Sequence, residues 1–363
     1  MTVATPALNA PLALAHGPAW ANRIALAPLT NTQSHPDGSL SDDEHRWLAA
    51  RAAGGFALTM TCAAFVNQDG KAWQGQLGLH ADADLGRLRR LTDEIRAHGS
   101  VSAVQLHHAG LRADPATSQG GERVAPWDDA AKGARALTTA EVRQVVDDFV
   151  AAAVRAEQAG FDGVEIHGAH GYLLAQFLDG RKNHRTDGYG GAFADRARIV
   201  HEVVDGIRAA VGPDLQVGIR LTAERYGITL PEFLELAGDL MAGGKLDYLD
   251  ASLWDVRKEP ADPAFAGTRL IDHITAVPRH GTALGVAGEV QSAADVAWCL
   301  EQGADFVLVG TGAILHHDFA ARSLADPAFV VRPRPVPREV LEAESVGAAF
   351  IDYLAAGWDE FVA

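Results

Sequence analysis

Short apolar runs alternate with longer amphipathic stretches from one end of the chain to the other. Eight runs have the length and bounds of buried strands: residues 24–27, 56–61, 102–106, 163–166, 216–220, 248–251, 284–287 and 306–309. Between them the apolar spacing changes to three and four. Val142, Val145, Val146, Phe149, Ala153 and Ala156 fall on one helical face, and Thr138 with Glu141 just ahead has the form of a capping box. In that motif a hydroxyl and a carboxylate satisfy amides that have no partner in the first turn. Ile199, Val200, Val203, Ile207 and Val211 make a second face, which Gly212-Pro213 ends. Strands alternating with helices predict an α/β fold with a parallel sheet, and eight strands close such a sheet into a (β/α)8 TIM-type barrel.

Two stretches break the rhythm. Residues 112–137 are polar, carry Gly and Pro around Trp127, and are too long for a plain strand-to-helix loop. They predict an excursion after the third strand that covers the active site. Residues 331–337, with Pro333, Pro335 and Pro337, predict an extended connector, followed by a C-terminal helix over 338–363 with Leu341, Val346, Ile351 and Leu354. No repeat or domain boundary intervenes, so residues 1–363 read as one domain.

Composition narrows the partners. With 31 Lys+Arg against 47 Asp+Glu the formal charge is −16, and no basic cluster offers a footprint for nucleic acid or an anionic membrane. The two cysteines, Cys62 and Cys299, are far apart and form no Cys-x-x-Cys pair, so neither a disulfide framework nor a cysteine-held cluster is expected. The first twenty residues lack the charged start of a signal peptide, and no apolar stretch is long enough to span a bilayer. A cytoplasmic protein is expected, with self-association left open.

The chemistry collects where the strands end. His167-Gly168-Ala169-His170-Gly171-Tyr172 follows the fourth run and holds two imidazoles and a phenol on a glycine-bearing turn. Such a set can polarise a carbonyl and protonate a neighbouring carbon. Pro28-Leu29-Thr30 follows the first run, Gln105 with His107-His108-Ala109-Gly110 closes the third, and Arg220 ends the fifth. A Gln and an Arg at barrel strand ends suit a planar polar ligand such as the pyrimidine edge of a flavin; the rival role for Arg220 is an ion pair with an interior carboxylate such as Glu165. Gly288 and Gly310-Thr311-Gly312 end the last two strands, in the pair of loops where barrels bind a phosphate.

With these motifs the chain resembles the Old Yellow Enzyme family of FMN-dependent NAD(P)H:flavin oxidoreductases, or ene-reductases. Besides the segments above, the resemblance rests on Asn183-His184-Arg185-Thr186-Asp187 and Tyr189-Gly190-Gly191. It implies that Pro28, Leu29 and Thr30 flank the flavin, that the Ala63 backbone lines its ring, and that Gln105 and Arg220 hold its pyrimidine end. Gly288, Gly310 and Thr311 then surround the phosphate. His167 and His170 hold the substrate oxygen and Tyr172 donates a proton. The implied reaction is ping-pong: NADH or NADPH reduces FMN, then the C=C bond of an activated alkene, an unsaturated carbonyl compound or a nitroalkene, takes up hydride and proton. Three departures stand out, one of them Asp179-Gly180 where many members have Ser-Pro. Thr311 occupies the place of a phosphate-binding Arg, and a hydroxyl cannot replace a charge-assisted fork. Cys62 stands where many members have Glu. The rivals are a 2,4-dienoyl-CoA-type reductase, whose iron–sulfur cluster two cysteines cannot hold, an idle flavin-binding protein, and a metal-dependent barrel hydrolase using His107, His108, His167 and His170.

Overall fold

In a parallel barrel every second strand residue points inward, so each strand writes two surfaces, an inner one and one covered by helices. The computed structural model describes residues 7–117 and 122–363. Its strands are β1 (Ile24–Leu26), β2 (Leu58–Phe65), β3 (Val101–His107), β4 (Arg123–Ala125), β5 (Ala134–Ala136), β6 (Gly163–Gly168), β7 (Gln216–Thr222), β8 (Tyr248–Ser252), β9 (Ala283–Ala287) and β10 (Phe306–Val309). Eight of them close in the order β1-β10-β9-β8-β7-β6-β3-β2, all parallel. These are the eight predicted runs. The second differs most: it starts at Leu58 and continues four residues past the expected end at 61, because a register shift between Met60 and Ala63 lets the buried chain keep pairing with β3. The excursion holds its own parallel ribbon, β4 with β5. Residues 118–121 of the expected cover lie outside the described residues.

The helices are α1 (Asp42–Ala53), α2 (Leu85–Ala97), α3 (Thr139–Gln158), α4 (Leu173–Leu178), α5 (Phe193–Ala210), α6 (Leu230–Ala242), α7 (Leu270–Thr275), α8 (Ala293–Glu301), α9 (Thr311–Leu315), α10 (Phe319–Ala325), α11 (Arg338–Ala343) and α12 (Ala348–Gly357). The capping box forms at α3: the Thr138 hydroxyl accepts from the Glu141 N–H at 3.2 Å, and Glu141 accepts from the Thr138 N–H at 2.7 Å. Thr229 and Glu232 build a second box at α6. The single helix expected over 338–363 is instead α11 and α12, separated at Ser345, whose φ is +61°. The break lets Leu341, Val346, Phe350, Ile351 and Leu354 all bury in the same core.

The inner face is layered. Trp20, held by a bridge to Leu12, plugs the N-terminal end, meeting Phe306 at 4.8 Å and Tyr248 at 5.6 Å edge to face and donating its indole N–H to Gln216 at 3.0 Å. Gly218 and Gly285 leave room for those rings, since a Cβ on either would lie 2.1 Å from Tyr248 or 2.3 Å from Phe306. Above this apolar floor the inward positions turn polar: Gln105, Glu165, Arg220 and Asp250, then His107, His167 and Ser252. Polar groups taken out of water need partners, so the C-terminal mouth is where a ligand belongs.

Candidate active site

β6 carries Glu165 and His167 inward and then breaks into Ala169-His170-Gly171. His170 has φ +58° and Gly171 +71°, two left-handed residues in succession. For His170 that conformation is unfavourable by about 1 kcal/mol or more, and it persists because its N–H donates to Thr222 Oγ1 at 3.0 Å and its carbonyl accepts from Arg112 at 2.5 Å. A Cβ at Gly171 would strike the Tyr226 ring at 2.6 Å. The turn brings three side chains together: His167 lies 5.1 Å from His170 and 5.0 Å from Tyr172 by ring centroids.

A fourth ring joins them. His107, at the end of β3, sits 4.3 Å from Tyr172 and 5.4 Å from His167. Gln76 sets its tautomer: the amide oxygen accepts from the Ala72 N–H at 2.7 Å, so its nitrogen donates to the Ala63 carbonyl at 2.9 Å and faces His107 Nδ1 at 3.1 Å. Nδ1 is therefore the acceptor, and the proton is on Nε2, which is buried without a partner. His167 Nδ1 accepts from the Ala169 N–H at 3.3 Å, which leaves its Nε2–H free as a donor. His170 Nε2 meets Ser252 Oγ at 2.8 Å. Burial, then neighbouring positive groups, hold the three imidazoles well below the usual histidine range, so at neutral pH they donate without charge. Burial pushes Tyr172 up, opposed by Arg112 over its ring at 4.6 Å, so the phenol keeps its proton.

Beneath this cluster lies an ionic network. Gln105 donates to Glu165 at 2.7 Å, and Arg220 Nε lies 2.8 Å from Asp250 Oδ2, its partner across the β7–β8 register. Arg220 thus pairs with an interior carboxylate, but Asp250 rather than Glu165. Burial and then the Asp250 charge push Glu165 up to about 8; burial pushes Asp250 to about 6 against the pull of Arg220. With the guanidinium on Asp250, Glu165 is the carboxyl that stays protonated at neutral pH.

A cavity of about 370 Å³ opens at the mouth. It gathers Pro28, Leu29, His170, Arg220, Gly288, Gly310 and Thr311 of the predicted residues, together with Ser252, Trp254, Glu289 and Trp358. Gln105, His167 and Tyr172 are not among its lining residues; His167 contacts the lining residue His170, and Tyr172 contacts His167. Thr30 is half-buried after β1, and Ala63 lies within β2 rather than in a loop, its carbonyl taken by Gln76. The four histidines of the hydrolase rival are not assembled: His108 turns away to line a separate cavity between the β2 end and α3. Sequence reasoning named neither Asp250 nor Ser252, although alternation along Tyr248-Leu249-Asp250-Ala251-Ser252 sets both inward. Trp254, 41% exposed at φ +68° and edge-on to His170, carries no sequence signal of its role.

The ring end of this cavity fits FMN: Arg220 and Gln105 offer donors at the strand ends, and Glu165 Oε2 is buried without a hydrogen-bond partner. Gly288, at φ +151°, fits the phosphate loop, where a Cβ would press on the Trp254 carbonyl carbon at 2.7 Å. The fold and site define the class, a flavin-binding (β/α)8 oxidoreductase. Residues 8–328 match the NADH:flavin oxidoreductase / NADH oxidase family, and the chain belongs to it. The chain is 35% identical over 299 residues to the probable NADH-dependent flavin oxidoreductase YqiG of Bacillus subtilis (strain 168), covering 80% of each. It is 33% identical over 309 residues to an NADH oxidase of Thermoanaerobacter brockii, covering 81% of this chain but 47% of that protein. Among solved structures it resembles morphinone reductase, at TM-score 0.78 and 28% identity over 97% of both chains. It also resembles the Old Yellow Enzyme homologue from Zymomonas mobilis, at TM-score 0.79 and 26% identity, covering 93% of this chain and 96% of that one. The protein is an FMN-dependent NAD(P)H oxidoreductase of the Old Yellow Enzyme type. Among the described residues no helix is long and apolar enough to cross a membrane.

Proposed function

We propose that the protein reduces the C=C bond of activated alkenes, unsaturated carbonyl compounds and nitroalkenes. One observation carries this reading: neutral imidazoles and a protonated phenol are gathered within ring contact at the barrel mouth. Pro28, Leu29, Gly288 and Gly310 would hold FMN, which would supply the hydride taken from NADH or NADPH. His167 and His170 donate hydrogen bonds to the substrate oxygen, and as neutral donors they favour the negative charge that builds there over the ground-state carbonyl. Tyr172 delivers its proton to the α-carbon, and Arg112 above its ring steadies the phenolate left behind. Gln105 and Arg220 hold the pyrimidine edge, with Glu165 and Asp250 orienting them.

Residues 1–363 act as one domain in this reading, with 112–137 as a cover: Trp127 and Lys132 line a cavity with Arg112 and Gly171. The charge balance fits a cytoplasmic enzyme of small molecules, without nucleic acid or membrane partners. Tyr172→Phe tests the mechanism by stopped-flow oxidation of the reduced variant with cyclohexenone, a nitroalkene and a quinone. Loss of the phenolic proton should slow cyclohexenone, let the nitronate accumulate from the nitroalkene, and leave the quinone unchanged. Uniform slowing of all three would make Tyr172 a packing residue.

A further inference from the structure

The two ends of the mouth cavity differ in charge. Its lining holds one guanidinium, Arg220, at the ring end and already paired with Asp250 at 2.8 Å. The far end is lined by Gly288, Glu289, Gln291, Gly310, Thr311 and Trp358, with no lysine or arginine among the described residues and one exposed carboxylate. On the loop after β8, Arg257 is held by Asp295 at 2.7 Å and stacks on Trp298, and Lys258 pairs with Glu224. Arg225 stacks on Trp254 with its guanidinium carbon 4.3 Å from the ring centroid. α9, at five residues, is too short for a useful helix dipole. What remains for a phosphate is backbone N–H groups and the Thr311 hydroxyl, uncharged donors that lack the opposite charge and the two-pronged fork of an arginine. Around them the chain carries a formal charge of −16.

Resting on the assignment of this cavity to flavin, we propose that its phosphate end is a cation-free subsite, so that the protein binds uncharged riboflavin about as well as FMN and exchanges its flavin with solvent. Thr311 and Glu289 are then the residues that set flavin choice. The isoalloxazine ring, which both flavins share, supplies the affinity through Gln105, Arg220 and the apolar wall of Pro28 and Leu29. The phosphate dianion gains hydrogen bonds from uncharged donors only, with no ion pair, and meets the Glu289 carboxylate.

Flavin-free protein is titrated with FMN and with riboflavin by fluorescence quenching, at about 10 mM and about 100 mM salt, where Debye lengths are about 30 and about 10 Å. Affinities within about tenfold are expected, with FMN binding unchanged or tightened by salt, since screening relieves repulsion and not attraction. An FMN preference beyond about tenfold that salt weakens overturns the proposal; its loss in Arg225→Ala would identify the guanidinium responsible. Failure of both flavins to bind overturns the flavin assignment as well. Thr311→Arg should tighten FMN by about ten- to a hundredfold and leave riboflavin unchanged. Equal tightening of both would mean packing instead of charge and would remove Thr311 from flavin choice.

Discussion

Replacing Glu165 by Gln tests the ionic state of the inner network through stability alone. Glu165 is fully buried; burial, then the Asp250 charge, push its carboxyl from 4.5 up to about 8, against Arg220 and the Gln105 hydrogen bond. Between those values the folded chain holds a proton that the unfolded chain has released. Stability is therefore full below about pH 4.5 and falls as pH rises towards about 8. At ~1.36 kcal/mol per pH unit the window allows a loss of at most ~5 kcal/mol, and relaxation of the interior brings the expected loss to ~2–4 kcal/mol. Glutamine keeps the volume and the acceptor for Gln105 but cannot ionise. Asp250, pushed up to about 6, adds a loss of the same sign at lower pH in both proteins, so the difference between them isolates Glu165. Urea unfolding of flavin-free wild type and Glu165→Gln, in steps from about pH 5 to about pH 9, measures it. The variant should lose less stability across that range and be the more stable protein at the alkaline end. Parallel stability curves would refute the reasoning, because Glu165 would then titrate alike in the folded and unfolded chains.

His167→Ala with His170→Ala should leave flavin bound and reducible by nicotinamide while cutting alkene reduction by about a hundredfold or more, read by separate stopped-flow half-reactions; unchanged alkene reduction would remove both from the mechanism. Gly218→Ala sets a Cβ 2.1 Å from the Tyr248 ring and should cost ~1–3 kcal/mol in urea unfolding, since both residues lie in the packed barrel floor. Thr138→Ala removes the hydroxyl that accepts from Glu141 N–H at the start of α3 and should cost ~1 kcal/mol by the same assay.

The strand runs, the α3 cap and the site turn are local patterns, and each was legible because its cause lies within a few residues. Thr138 and Glu141 sit three apart, and the requirement for a glycine after His170 comes from the turn itself. The partner of Arg220 was not legible, because Asp250 stands thirty residues away and meets it only through the β7–β8 register. His107 shows the same limit. Its place beside Tyr172 and its tautomer depend on Gln76, which arrives from the loop after β2. The second strand is legible only to residue 61, because the bulge that keeps it paired beyond that point is a property of two strands, not of one.

The order of apolar and polar positions determined eight inward-and-outward strands, the helices between them, and the strand ends where histidines, Gln105 and Arg220 gather. Those follow from side-chain periodicity and from turn residues, which act over short distances along the chain. The tertiary structure decided which of the gathered groups carry charge. Burial and cross-strand contacts make the imidazoles neutral, give Asp250 the guanidinium and leave Glu165 its proton. It also decided that, among the described residues, no lysine or arginine lines the glycine loops beside Thr311. Protonation and electrostatic field depend on solvent exclusion and on distances through space, and neither exists until the barrel closes.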